Sequence, residues 1–137
     1  MIQKIKLRNG LNADVLFSQI RSEFEKIPDH RSKNRKISLP DALMSGFAMF
    51  SLKDPSLLAF DQRQSNDTNL KSIYNIENVP CDTQMRTILD DVDPVDIEFP
   101  FNDIFHKLQR GKVLEPMVFM NRSYLSKIHC SFLEVCL

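Results

Sequence analysis

The sequence has few of the residues on which many functional sites depend. Its 137 residues include three glycines, Gly10, Gly46 and Gly111, whose spacing excludes the glycine-rich loops that cradle nucleotide phosphates. The three cysteines, an odd number without a CxxC pair, argue against a disulfide framework and a zinc knuckle. No apolar run approaches the ~20 residues of a membrane span, and residues 1–10 lack the apolar segment of a signal peptide. We therefore expect a soluble cytoplasmic protein without a membrane partner.

The residues that are present favour helices. Tryptophan is absent, and ten phenylalanines and six methionines carry the large apolar side chains. Apolar residues recur at helical spacing between Asn12 and Gly111. We predict an all-α fold, a small helical domain with a helix-turn-helix-like pair and an irregular C-terminal tail. The predicted core comprises Leu43, Phe47, Phe50, Leu57, Leu58, Ile73, Met85, Ile88, Leu89, Ile104, Phe105 and Leu108.

Capping residues and prolines predict the boundaries. Helices begin near Asn12, after Ser38 and after Asp54, because these side chains can accept hydrogen bonds from free backbone N–H groups. Asn75 suits a helix end, since asparagine tolerates the left-handed conformation. The pair at residues 93–94 is expected to end one helix, and the last helix begins at Pro100. Three regions result: an N-terminal helix and basic linker (1–36), a helical domain (37–119) and a tail (120–137).

Charge is unevenly distributed, although the chain is neutral overall. Residues 1–40 carry nine Lys and Arg against four Asp and Glu, and residues 41–100 carry four against eleven. The segment with Arg31, Lys33, Arg35 and Lys36 is typical of a basic arm that contacts phosphates. It suits a solvated flexible linker equally well.

Residues 70–89 have the layout of a helix-turn-helix unit, a short helix, a connection and a second helix with polar residues at its start. Thr83, Gln84 and Arg86 would lie on the first turn and a half of the second helix. Glutamine can bond adenine and arginine can bond guanine in the major groove. The connection at 76–80 is longer than the standard turn, so on spacing alone an ordinary helix pair is the commoner explanation.

An acidic cluster at residues 90–98 and three histidines are the remaining polar groups of interest. Oxygen-rich clusters can hold Mg²⁺, but this one lies beside Pro94 at a helix end, where a solvated acidic loop is the simpler explanation. His30, His106 and His129 lack metal-ligand spacing. We predict no catalytic residue, no metal site and no cofactor. The cluster comprises Asp90, Asp91, Asp93, Asp96 and Glu98.

Three segments carry strings that are more specific than any helical pattern. They are residues 38–61 (SLPDALMSGFAMFSLKDPSLLAFD), 69–93 (NLKSIYNIENVPCDTQMRTILDDVD) and 108–119 (LQRGKVLEPMVF). In order and spacing they resemble the N-terminal part of DDE-type insertion-sequence transposases. The resemblance implies a helical DNA-binding region that precedes an RNase-H-like core, in which three carboxylates hold two metal ions such as Mg²⁺.

The carboxylates of that core have no counterpart in this sequence. The resemblance places the first of them, an Asp, shortly after the segment matching residues 115–119, where this chain reads MNRSYL. No Asp follows Asp103, and without three carboxylates a two-metal site cannot form. We therefore expect no enzyme activity and interpret the chain as a truncated transposase fragment, in which residues 132–137 look like out-of-frame read-through.

The leading hypothesis is a DNA-binding remnant that recognises the terminal repeats of its element. It places Arg31, Lys33, Arg35 and Lys36 on phosphates, and Thr83, Gln84 and Arg86 towards base edges. The alternative is a structural or protein-interaction module that can form a homo-oligomer, with apolar residues 113–120 and 131–137 at the contact. A weaker alternative, residual nuclease activity, rests on the acidic cluster alone.

Overall fold

The computed structural model describes residues 11–32, 35–64 and 66–114, and the backbone of residues 118–119 and 122–123. Their regular structure is almost entirely helical, which confirms the all-α class. A short antiparallel pair joins β1 (Val118–Phe119) to β2 (Arg122–Ser123). The predicted tail, apart from β2, lies outside the described residues. The helices are α1 (Ala13–Phe24), α2 (Leu39–Ser51), α3 (Leu57–Gln64), α4 (Asn69–Ser72), α5 (Asp82–Asp90) and α6 (Pro94–Arg110).

Two helix starts follow the predicted caps. The Asn12 side-chain oxygen accepts a hydrogen bond from the Val15 N–H at 2.8 Å and caps α1. The Ser38 hydroxyl accepts the Asp41 N–H at 3.2 Å and caps α2. Both bonds satisfy backbone donors that a helix leaves free in its first turn.

The prediction that Asp54 caps α3 was wrong. The helix begins at Leu57, and the Ser56 hydroxyl accepts the Ala59 N–H at 3.1 Å. Asp54 instead pairs with Arg63, with 2.8 Å between Oδ1 and Nη2, and its side chain is almost fully buried. The carboxylate therefore binds the far end of α3 rather than its first turn.

The last helix begins earlier than predicted. α6 starts at Pro94 and contains Pro100 as a buried interior residue, so the pair at 93–94 opens this helix. Proline fits the first helical position, because the N–H that it lacks would have no helical partner there. Pro100 leaves the Asp96 carbonyl without its helical donor, a change that costs about 3 kcal/mol in a helix interior. Burial of the apolar Pro100 ring within α6 acts in the opposite direction.

The described residues divide into two compact units. One contains the residues up to Leu16 and those from Pro94 onward, and the other contains Phe17–Asp93. Within the second unit, α2 packs against α5, and α3 also packs against α5. A β-carbon on Gly46 of α2 would lie 3.7 Å from the Leu89 side chain of α5. The buried apolar residues of this unit include Ile20, Phe24, Leu39, Ala42, Leu43, Met44, Ala48, Phe60, Leu70, Tyr74, Ile76, Met85 and Ile88.

The predicted core is confirmed in part. Leu43, Met85 and Ile88 are buried, whereas Leu58 is 56% exposed and Ile73 is 40% exposed. Leu58 points outward because it lies two residues before Phe60, which puts the two side chains on opposite faces of α3. Ile73 follows a helix of a single turn, and the next residue, Tyr74, takes the inward position. The remaining predicted core residues are half-buried: Phe47, Phe50, Leu57, Leu89, Ile104, Phe105 and Leu108.

Three helices are followed by a non-glycine residue with a left-handed backbone. The φ angles are 58° at Lys53 after α2, 54° at Asn75 after α4 and 61° at Lys112 after α6. The prediction for Asn75 is confirmed. After α6, Gly111 precedes the turn, and a β-carbon there would clash with the Leu11 side chain and approach the Lys107 carbonyl oxygen to 3.2 Å.

Candidate functional site

The loop between α1 and α2 holds its first arginine against an aspartate. The Arg31 Nε donates to Asp29 Oδ1 at 2.9 Å, and Nη2 donates to Oδ2 at 2.7 Å. The same Nη2 donates to the Ile37 carbonyl at 3.2 Å, and the Arg31 backbone N–H donates to Asp29 Oδ1 at 3.2 Å. This is the two-pronged geometry in which arginine binds carboxylates and phosphates most strongly.

A second arginine joins the same carboxylate. The Arg35 Nη1 lies 3.2 Å from Asp29 Oδ2 and donates to the Arg31 carbonyl at 3.2 Å. The side-chain hydrogen bond from Arg31 is the main cause that lowers the pKa of Asp29. Burial of the carboxyl raises this pKa, whereas the Arg31 backbone hydrogen bond and the charges of Arg31 and Arg35 lower it further. Asp29 is therefore a carboxylate at neutral pH, and it offsets one of the two arginine charges.

The first turn of α5 is closed by a capping box. The Gln84 side-chain oxygen accepts the Cys81 N–H at 3.3 Å, and Cys81 is the N-cap. The Thr87 hydroxyl donates to the Thr83 carbonyl at 3.0 Å, one turn back along the helix. The Gln84 side-chain oxygen thus accepts a hydrogen bond at the helix start, and its NH₂ group can donate to a ligand.

The loop and the start of α5 face each other across a groove of about 540 Å³. Its two apolar members, Ile37 on the loop and Ile88 on α5, are buried. The packing of α2 on α5 places them together, because Ile37 directly precedes the α2 cap, Ser38. The groove is lined by Arg31, Arg35, Lys36, Ile37, Thr83, Gln84, Thr87 and Ile88.

The structure thus brings together five of the seven residues that the sequence analysis placed on DNA. The sixth, Lys33, lies outside the described residues. The seventh, Arg86, does not line the groove; its Nε donates to Asp82 Oδ1 at 2.9 Å, and its side chain is 66% exposed. The five residues in the groove are Arg31, Arg35, Lys36, Thr83 and Gln84.

Sequence reasoning missed Asp29 and Thr87. Asp29 precedes Arg31 by two residues, a spacing that permits a local carboxylate–guanidinium pair, but the segment was interpreted only as a cluster of cations. Thr87 follows Thr83 by four residues, so both share one helix face. That spacing could have identified Thr87, whereas the buried Ile37 and Ile88 depend on tertiary packing.

The other candidate groups do not form a site within the described part of the chain. There, no three His, Cys, Asp or Glu side chains are placed to hold a metal ion. His30 and His106 are exposed, and His129 falls outside the described residues. Cys81 is an exposed free thiol, while Cys130 and Cys136 also fall outside.

Two further observations concern the chain as a whole. Among the described residues, no helix combines the length and the apolar character needed to cross a membrane. Comparisons with protein-family models, with curated proteins and with solved structures found no match to this chain.

Proposed function

We propose that this chain binds DNA by its phosphate backbone, through the groove between residues 31 and 35–37 of the loop and α5, as the non-catalytic part of an insertion-sequence transposase. The observation that supports this most is the shared groove itself. Two signals far apart in the sequence, a basic loop and the polar start of a helix, line one cavity. Their side chains offer guanidinium, ammonium and amide donors, all of which suit phosphate oxygens.

The geometry favours backbone contact over base reading. A recognition helix must enter the major groove, which is about 12 Å wide and 8.5 Å deep. The face of α5 that carries Thr83, Gln84 and Thr87 instead shares its groove with residues of the loop, which stand beside it. A two-pronged contact with adenine needs the Gln84 amide turned towards the base edge, whereas its bond from the Cys81 N–H orients the amide towards the helix start.

The charges around the groove determine how tightly we expect it to bind DNA. Three cations line the groove, and Asp29 offsets one of them. Residues 41–100 are acidic, which opposes approach to DNA at longer range. We therefore expect a modest affinity for DNA that falls steeply with salt. Each phosphate that the protein neutralises adds about −0.9 to the slope of the logarithm of the association constant against the logarithm of the salt concentration.

The relation to transposases rests on the resemblance of residues 38–61, 69–93 and 108–119. The carboxylates of the family's catalytic core have no counterpart in this sequence, so the proposal contains no metal-dependent step. DNA transposition is the activity of the intact family, and the function proposed for this chain is binding alone.

The first test compares two lysine variants by fluorescence anisotropy with a labelled duplex of about 20 base pairs. Lys36→Gln removes a groove cation that forms no ion pair with any described carboxylate. Lys71→Gln on α4 removes an exposed cation outside the groove lining and is the matched control. We expect Lys36→Gln to weaken binding about three- to tenfold at low salt, and Lys71→Gln to change it less than twofold.

The second test concerns sequence preference. The DNA beside the gene is searched for inverted terminal repeats, and duplexes of these repeats are compared with shuffled duplexes of equal length and composition. Tighter binding to the repeats supports recognition of the element, and equal binding supports the backbone mode alone. No binding of any duplex at low salt would contradict the proposal.

A protein-interaction function is the second candidate, because α6 exposes large apolar side chains. Val95 is 68% exposed and Phe99 is 67% exposed, one turn apart on the same helix face. Adjacent exposed apolar side chains can form part of a contact surface. Light scattering over a dilution series tests it: a monomer at every concentration, unchanged by Phe99→Ser, would contradict self-association.

A further inference from the structure

We propose that the Asp29 carboxylate occupies, in the free protein, the place on Arg31 that a DNA backbone phosphate takes in the complex. This inference rests on the proposed function and extends it, since it assigns a specific phosphate site to Arg31 and Arg35. It also makes Asp29 an internal competitor that sets the affinity of the groove. The ligand group is a phosphodiester oxygen pair of nucleic acid.

The first argument is the chemistry of the contact. The Arg31 Nε and Nη2 form a two-pronged bond with Asp29 at 2.9 and 2.7 Å. Guanidinium groups bind phosphates through the same pair of parallel donors. A phosphate can therefore replace the carboxylate without any change in the type of bond that Arg31 makes.

The second argument is position. Arg31 and Arg35 both contact Asp29, and both line the groove with Lys36. Their side chains are 20% and 34% exposed, so an anion in the groove can reach them. The carboxylate is itself only 11% exposed and is covered by the arginines that it binds.

The third argument is charge. The Arg31 hydrogen bond keeps the pKa of Asp29 below its ordinary value, so the competitor is charged wherever DNA binding is measured. Arg31 also retains its bond to the Ile37 carbonyl at 3.2 Å, which anchors the guanidinium to the loop while the anion exchanges. Removal of the Asp29 charge should therefore free an arginine that remains in place.

The variant test measures the DNA affinity of Asp29→Asn by fluorescence anisotropy over a salt series. The labelled duplex has about 20 base pairs, which is two helical turns. The matched control is Asp90→Asn, which removes the same charge from the exposed far end of α5. We expect Asp29→Asn to bind about three- to tenfold more tightly at low salt, with a log–log salt slope steeper by about 0.9. Asp90→Asn should give a smaller gain and an unchanged slope. The gain of Asp29→Asn should disappear when it is combined with Arg31→Gln.

A second measurement uses the unaltered protein, so it does not depend on how the variant folds. The Arg31 Nε–H resonance is followed by NMR as duplex is added, with inorganic phosphate and sodium chloride at equal ionic strength as separate arms. We expect duplex to shift this resonance and chloride to leave it unchanged. A shift by inorganic phosphate at millimolar concentration would show that the site takes a single phosphate as well as a strand.

The outcomes separate this inference from the proposed function. Binding by the unaltered protein with no gain in a folded Asp29→Asn variant overturns the inference alone and makes Asp29 a fixed support. An Arg31 Nε–H resonance that stays unchanged at saturating duplex also overturns it. No duplex binding by either protein overturns both, and binding by Asp29→Asn alone supports both.

Discussion

Arg21 on α1 and Asp41 on α2 form a short ion pair, with 2.6 Å between Nη1 and Oδ1. The Asp41 side chain is 3% exposed and that of Arg21 is 18% exposed. Arg21 Nη1 also donates to the Asn75 carbonyl at 2.9 Å, and Asp41 Oδ2 accepts the Asn78 N–H at 3.2 Å. The pair thus joins two helices to the connection between α4 and α5, the segment that leads to the groove.

We predict that Asp41→Asn lowers the free energy of unfolding by about 3 kcal/mol, because breaking a buried pair is costly and, among the described residues, Arg21 keeps only the exposed Glu25 as a carboxylate partner. The control is Asp82→Asn, which breaks the exposed pair with Arg86 and should cost less than about 1 kcal/mol. Urea unfolding followed by circular dichroism measures both. Equal losses for the two variants would contradict a structural role for the buried pair.

A second prediction concerns the hydroxyl of Tyr74, whose ring is buried and stacks on Phe17 with centroids 5.1 Å apart. Its oxygen lies 2.7 Å from the Ser51 hydroxyl. Tyr74→Phe and Ser51→Ala should each cost about 1 kcal/mol, the usual net worth of one hydrogen bond. The double variant should cost clearly less than the sum, and a strictly additive result would exclude the bond.

A third prediction follows from the lowered pKa of Asp29. Because the folded pKa lies below the unfolded value of about 3.9, the carboxylate contributes stability above that value and loses it as pH falls through the folded pKa. The difference in stability between the unaltered protein and Asp29→Asn should therefore be largest above about pH 4 and shrink in more acidic solution. In an Arg31→Gln background the difference should be smaller at every pH. Urea titrations between pH 3 and pH 7 test this.

A fourth prediction separates the helix start from the ligand surface at Gln84. Glutamate is also favourable at the third helical position, because it can accept the Cys81 N–H and its charge suits the helix N-terminus. Gln84→Glu should therefore leave the melting temperature unchanged or slightly higher. Its added negative charge in the groove should weaken duplex binding about threefold or more at low salt. Unchanged binding would remove Gln84 from the proposed interface.

The sequence predicted best the features that depend on near neighbours. The Asn12 and Ser38 side chains accept hydrogen bonds from backbone N–H groups three residues later, so a short stretch of sequence contains both partners. Asp41 shows the limit of such reasoning. Its spacing three residues after Ser38 suits a capping box, whereas its main partner, Arg21, lies on another helix and is reached only after α1 and α2 have packed.

The candidate site follows the same pattern. The basic loop and the polar start of α5 were each identified from local composition, and the DNA-binding hypothesis joined them without any evidence that they lie together. Their common groove depends on the packing of α2 and α5, which no local pattern encodes. Arg86 lies outside the groove and pairs with Asp82 one turn before it, a pairing that helical spacing could have predicted.

The left-handed residues that follow α2, α4 and α6 leave room to engineer a more stable protein. Lys53 and Lys112 hold a backbone conformation that costs L-residues about 1–2 kcal/mol and glycine very little. The chain has three glycines, and lysine or asparagine takes the left-handed position after these helices. Glycine would adopt the same conformation with a smaller loss of free energy. Lys53→Gly, at an exposed position outside the groove lining, therefore offers a stabilised background in which costly variants such as Asp41→Asn remain folded enough to measure.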